Sequence, residues 1–88
     1  MNTQKDINIF IKDCVDKAAV QNNPSILAEC LGVIARARDN ISKVTRDAGI
    51  NRAGFYRSFR RGGDPKLSTF AKVANSLGYK VTVTPIGQ

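Results

Sequence analysis

The stretch Ser42-Lys43-Val44-Thr45-Arg46-Asp47-Ala48-Gly49-Ile50-Asn51-Arg52-Ala53-Gly54-Phe55-Tyr56-Arg57-Ser58-Phe59 decides how this chain folds. Its apolar residues sit where two short crossing helices need them. Val44 and Ala48 lie on a first helix, Ile50 in the turn and Phe55 on a second, so their side chains converge into one wedge. Ser42 has the side chain of an N-cap for a helix over Lys43 to Ala48. Gly49 follows as the residue type that ends a helix in the left-handed conformation. Asn51 then caps a helix running to about Phe59. Two positions depart from the ordinary pattern. Thr45 stands where a small Ala is commoner, and it is tolerated if its hydroxyl reaches the backbone or solvent. Gly54 costs up to about 1 kcal/mol relative to Ala inside a helix, which a close approach to a groove wall would justify.

Working outward, the rest of the chain also reads as helix. Ile7, Phe10, Ile11, Cys14, Val15 and Ala18 recur at three- and four-residue steps, which predicts an amphipathic helix from Ile7 to about Val20. Asn22-Asn23-Pro24 ends it. Pro24 suits the first turn of a second helix, apolar at Leu27, Cys30, Leu31 and Ile34 and broken at Asp39-Asn40. Gly62-Gly63-Asp64-Pro65 is a loop by composition. A last helix opens at Leu67 or Ser68, turns Phe70, Val73, Ala74 and Leu77 inward, and stops at Gly78. Beyond it Tyr79, Val81 and Val83 alternate with Lys80, Thr82 and Thr84, which predicts one β-strand at about 79–84. A lone strand needs a partner, so pairing with another chain is expected, with a frayed extended tail as the alternative. The expected architecture over residues 1–88 is therefore a single all-α domain of five helices with one C-terminal strand.

Charge singles out the same middle region. The chain has 14 Lys and Arg against 7 Asp and Glu, a net charge of +7 and a pI of about 9.9. Residues 36–72 hold ten of the bases and only three of the acids, so the whole excess lies there. Such a surface points to a polyanion, nucleic acid before an anionic membrane. No apolar run approaches the roughly 18 residues of a spanning helix, no signal peptide is visible, and a cytoplasmic protein is expected. With no histidine in the chain, Cys-His metal sites and His-dependent catalysis are excluded. The acids are scattered and mostly outside the basic region, so a two-metal nuclease site has no support. No enzyme activity, cofactor or metal is expected. Cys14 and Cys30 occupy apolar helical positions and read as reduced core residues, with a redox role or disulfide as the alternative.

The second short helix is the candidate recognition helix. Phe55 and Phe59 face the core, which leaves Arg52, Ala53, Tyr56 and Arg57 on the opposite side and Asn51 at the start. Arg bonds guanine through two donors, Asn bonds adenine, and Ala touches a thymine methyl. Asn51, Arg52, Ala53, Tyr56 and Arg57 are thus candidate base readers, with phosphate contact alone as the alternative for either Arg. Ser42 and Lys43 start the preceding helix, where free amides favour a phosphate. Arg60, Arg61 and Lys66 flank the glycine loop and read as phosphate clamps. The aromatics lie on a helix rather than a stacking sheet, which argues against single-stranded RNA. One such motif reads few base pairs, so a homodimer on a palindromic double-stranded operator is expected.

Three stretches carry a family resemblance: Val44 to Arg52, Phe55 to Phe59, and most specifically Gly63-Asp64-Pro65-Lys66-Leu67-Ser68-Thr69-Phe70-Ala71-Lys72-Val73 with Leu77-Gly78-Tyr79-Lys80-Val81-Thr82-Val83. From about Pro24 onward the chain resembles the addiction-module antidote proteins, HigA-like antitoxins with a phage-repressor-type helix-turn-helix. That resemblance implies a dimeric DNA-binding antitoxin that neutralises a small RelE-like ribonuclease toxin and represses its own operon. Ala53 replaces an acidic residue often found there in the family, which implies a different base preference. The alternative is a stand-alone phage-type or cellular repressor without a toxin.

Overall fold

The computed structural model describes residues 3–87. Its elements are α1 (Gln4–Gln21), α2 (Ser25–Ala37), α3 (Ile41–Ala48), α4 (Arg52–Ser58) and α5 (Leu67–Ser76). Four of the five helices end in the same way. Asn22, Asp39, Gly49 and Gly78 each take a positive φ at the end of α1, α2, α3 and α5. After each, the next amide reaches back five residues: Asn23 to the Ala18 carbonyl, Asn40 to Ala35, Ile50 to Thr45 and Tyr79 to Ala74. This arrangement satisfies carbonyls that a helix end otherwise leaves orphaned, and it reverses the chain sharply. Short, tightly turned helices follow directly from those four residues.

The core forms around α2, which touches all four other helices. Ala28, Cys30, Leu31, Ile34 and Ala35 of α2 are buried with Ile7 and Cys14 of α1, Val44 and Ala48 of α3, Phe55 and Phe59 at α4, and Val73 and Ala74 of α5. Phe55 and Phe59 stack at 5.0 Å between ring centroids, and Phe59 stacks on Phe70 at 6.4 Å. Gly32 sets how close α2 comes to the end of α4. A Cβ there would lie 2.2 Å from the Phe59 carbonyl oxygen, so no side chain fits. Arg38 ties three helix ends together: it donates to the Leu77 carbonyl at 2.8 Å and to the Gln4 side chain at 2.9 Å. Cys14 and Cys30 are both buried and unlinked. Burial, reinforced by the neighbouring Cys14 thiol, pushes the Cys30 thiol well above its usual range.

The expected wedge is present. Val44, Ala48 and Phe55 are buried and Ile50 packs against them. Thr45 is buried as well, and its hydroxyl donates to the Ile41 carbonyl at 2.8 Å, which makes a polar residue tolerable at the crossing.

Two expectations are corrected. The helix after Asn40 starts at Ile41 rather than Lys43, with Asn40 in the cap position and Ser42 inside the first turn. Ile41 shares the buried face of Val44, Thr45 and Ala48, and that packing draws it into the helix. The second correction concerns the C-terminal strand. The described residues form five helices and no β-strand, and residues 79–84 carry no regular structure. A helix closes its hydrogen bonds within itself, whereas a strand needs a neighbour that the described residues do not supply. Tyr79 is half-buried against the core, but Val83 is 95% exposed, so the alternating residues share no covered face.

Candidate nucleic-acid interface

The outward face of α4 exists because its inward face is so thoroughly committed. Phe55 and the following Phe59 are fully buried, which turns Arg52, Ala53, Tyr56 and Arg57 to solvent. The helix is short and starts abruptly. Asn51 takes an extended backbone and its Oδ1 accepts from the Gly54 amide at 2.7 Å. Asn51 is therefore a cap whose oxygen is occupied, leaving its amide donors to face outward. A Cβ at residue 54 would sit 3.2 Å from that same oxygen. The glycine thus keeps room for the cap, a nearer reason for its presence than contact with a groove wall.

Arg52 links α4 to α3. Its guanidinium donates to Ser42 Oγ at 2.5 Å and to the Tyr56 hydroxyl at 3.5 Å. The Tyr56 ring in turn lies under Arg36, whose guanidinium carbon is 5.4 Å from the ring centroid. Arg36 is an exposed residue in the last turn of α2. Four side chains from three helices thereby form one connected corner: Ser42, Arg52, Tyr56 and Arg36. Arg36 was not singled out from the sequence. Its signal was present, since it is the first base of the basic stretch, but nothing local says that α2 ends beside α4.

The other predicted contacts are distributed unevenly. Arg57 is exposed and takes part in no salt bridge among the described residues. Lys43 is held by Asp47 at 2.7 Å and by the Ser76 hydroxyl at 3.3 Å, so its ammonium bridges α3 to α5. Ser76 also donates to Asp47 at 2.7 Å. The Lys43 ammonium and then the Ser76 hydroxyl hold the Asp47 carboxyl below its ordinary range. Arg60 and Lys66 are exposed around the loop before α5. Arg61 is turned toward Glu29 of α2, at 3.4 Å, and is not part of the corner. The structure thus joins Ser42 to Arg52 and Tyr56, places Ala53 and Arg57 beside them on α4, and leaves Arg61 apart. No helix among the described residues is long and apolar enough to cross a membrane, and no cluster of three metal-ligating side chains occurs among them.

These features define a small all-helical protein with a basic, polar corner built by its two shortest helices and the end of α2. The chain belongs to the family described as probable addiction module antidote protein, whose model matches residues 1–85. It is also similar to an uncharacterized protein of Haemophilus influenzae, 31% identical over 83 residues, spanning 94% of this chain and 80% of the relative. No solved structure matches it closely.

Proposed function

We propose that the protein is a DNA-binding antitoxin. It acts in the cytoplasm as a homodimer, represses its own operon through a palindromic operator, and neutralises a small RelE-like ribonuclease toxin. The observation that carries this reading is the α4 face. A helix whose buried side is aromatic presents Arg52, Ala53, Tyr56 and Arg57 outward from a region that holds all the excess charge. On this reading α3 and α4 act as a helix-turn-helix, with α4 as the helix that enters the major groove. Membership of an antidote family supplies the toxin side of the proposal. The role is binding rather than catalysis, since the chain lacks histidine and its acids are dispersed.

A repressor acting without a toxin is the second reading, because the corner's chemistry depends on no partner protein. Titrating the protein into duplex DNA from upstream of its own reading frame, beside a scrambled duplex, tests the DNA claim. Preference for the upstream duplex is expected, and equal binding to both refutes sequence-specific repression. Copurification with the product of the adjacent gene separates the two readings.

A further inference from the structure

The corner has a hydrogen-bonding polarity that follows from its internal bonds. A guanidinium carries donors and no acceptor. Arg52 gives one N–H to Ser42 Oγ and, at the longer distance of 3.5 Å, one to the Tyr56 hydroxyl, so each hydroxyl has one lone pair engaged inside the cluster. Each keeps its own hydrogen to donate outward. The remaining N–H groups of Arg52 are donors too. Arg36 lies over the Tyr56 ring, and the attraction between them favours this position of the ring. The face these groups present therefore calls for acceptors.

The four bases differ on this point in the major groove. Guanine shows two acceptors, O6 and N7. Adenine shows one acceptor beside an amino donor, cytosine an amino donor, and thymine one acceptor beside a methyl. The geometry points to Ser42, Arg52 and Tyr56 as a single donor-rich cluster, held by Arg36, that reads the O6–N7 edge of a guanine in each half-site. This rests on the DNA-binding reading above. It reassigns Ser42 from the phosphate backbone to base readout and makes Arg36 a positioning residue acting through Tyr56. Phosphate oxygens are also acceptors, but Arg52 and Tyr56 lie on the helix that enters the groove, and phosphate contact is the competing outcome.

The test starts from duplexes that the full-length protein selects out of a random pool. One guanine per half-site is expected to be required. Its replacement by adenine or by 7-deazaguanine, which lacks the N7 acceptor, lowers affinity about tenfold or more. Inosine, which keeps O6 and N7, leaves affinity unchanged. Tyr56→Phe and Ser42→Ala each narrow the guanine-over-adenine preference by about fivefold. Arg36→Gln narrows it in the same way, and Arg36→Lys restores it because a cation again lies over the ring. Folding is read separately, from the unfolding midpoint of each variant, so that the duplex ratio is compared between folded proteins. Selected duplexes without a guanine requirement overturn the inference while DNA binding stands. So does a preference untouched by Tyr56→Phe, with equal loss on every duplex, which marks a phosphate contact. Failure to enrich any sequence overturns the DNA-binding reading and this inference with it.

Discussion

The α3–α4 corner and the C-terminal segment are similarly patterned in sequence and opposite in outcome. In the corner, the wedge residues meet other helices: Val44, Ala48 and Phe55 are buried and even the Thr45 hydroxyl is bonded. In residues 79–84 the alternation is as regular, yet Val81 is 43% exposed and Val83 95% exposed, with no ladder around them. The difference is where the hydrogen bonds come from. A helix needs an apolar stripe and two caps, all supplied locally. A strand needs a second backbone at a matching register.

The contrast breaks most sharply at Phe55. Truncation to Ala removes a fully buried ring stacked on Phe59, and should cost about 3–5 kcal/mol in urea unfolding. A loss near zero would mean that the corner is not the packed half of the molecule. Gly32→Ala should cost less, about 1–3 kcal/mol, because α2 must back away from the Phe59 carbonyl. Asn51→Ala removes the α4 cap and should cost about 1 kcal/mol, read from the same unfolding midpoints.

Smaller still is a pH effect at the α3–α5 tie. The Asp47 carboxyl is lowered in the folded protein, so its contribution is present above the unfolded value of about 4 and fades as the pH falls through the folded value. Asp47→Asn should lower stability slightly at neutral pH and flatten that part of the acid unfolding curve, so that variant and wild type converge as the carboxylate is protonated. An identical acid limb in wild type and variant would show that Lys43 and Ser76 do not hold the carboxylate. Least affected should be truncation after Lys80, expected to shift stability by no more than about 0.5 kcal/mol. A shift as large as that of Asn51→Ala would show that the segment packs in a way its exposure denies.

What was legible in the sequence was whatever neighbours in the chain decide. Asn22, Asp39-Asn40, Gly49 and Gly78 announce the helix ends because positive φ is a local property of residue type. The wedge of Val44, Ala48, Ile50 and Phe55 was readable because the spacing between them is short. Distant pairings were not readable. Arg38 and the Leu77 carbonyl are 39 residues apart, and nothing near either predicts their bond. The approach of Arg36 to Tyr56 depends on α2 ending beside α4, so the corner's third helix was missed. Ser42 looked like a cap on chemistry alone, until the burial of Ile41 moved the start of the helix. The basic residues were legible as a group but not individually. Lys43 and Arg61 turn to acids of their own chain, while Arg36 joins the corner.

The proposed DNA-binding role requires the basic middle of the chain to meet the phosphate backbone, and the salt dependence of binding measures that contact directly. Log affinity for the upstream duplex should fall linearly with log salt concentration. About four phosphate contacts per protomer, and so about eight per dimer, give a slope near −7. A slope shallower than about −2 would rule out the basic middle as the binding face, because binding would then leave those charges unengaged.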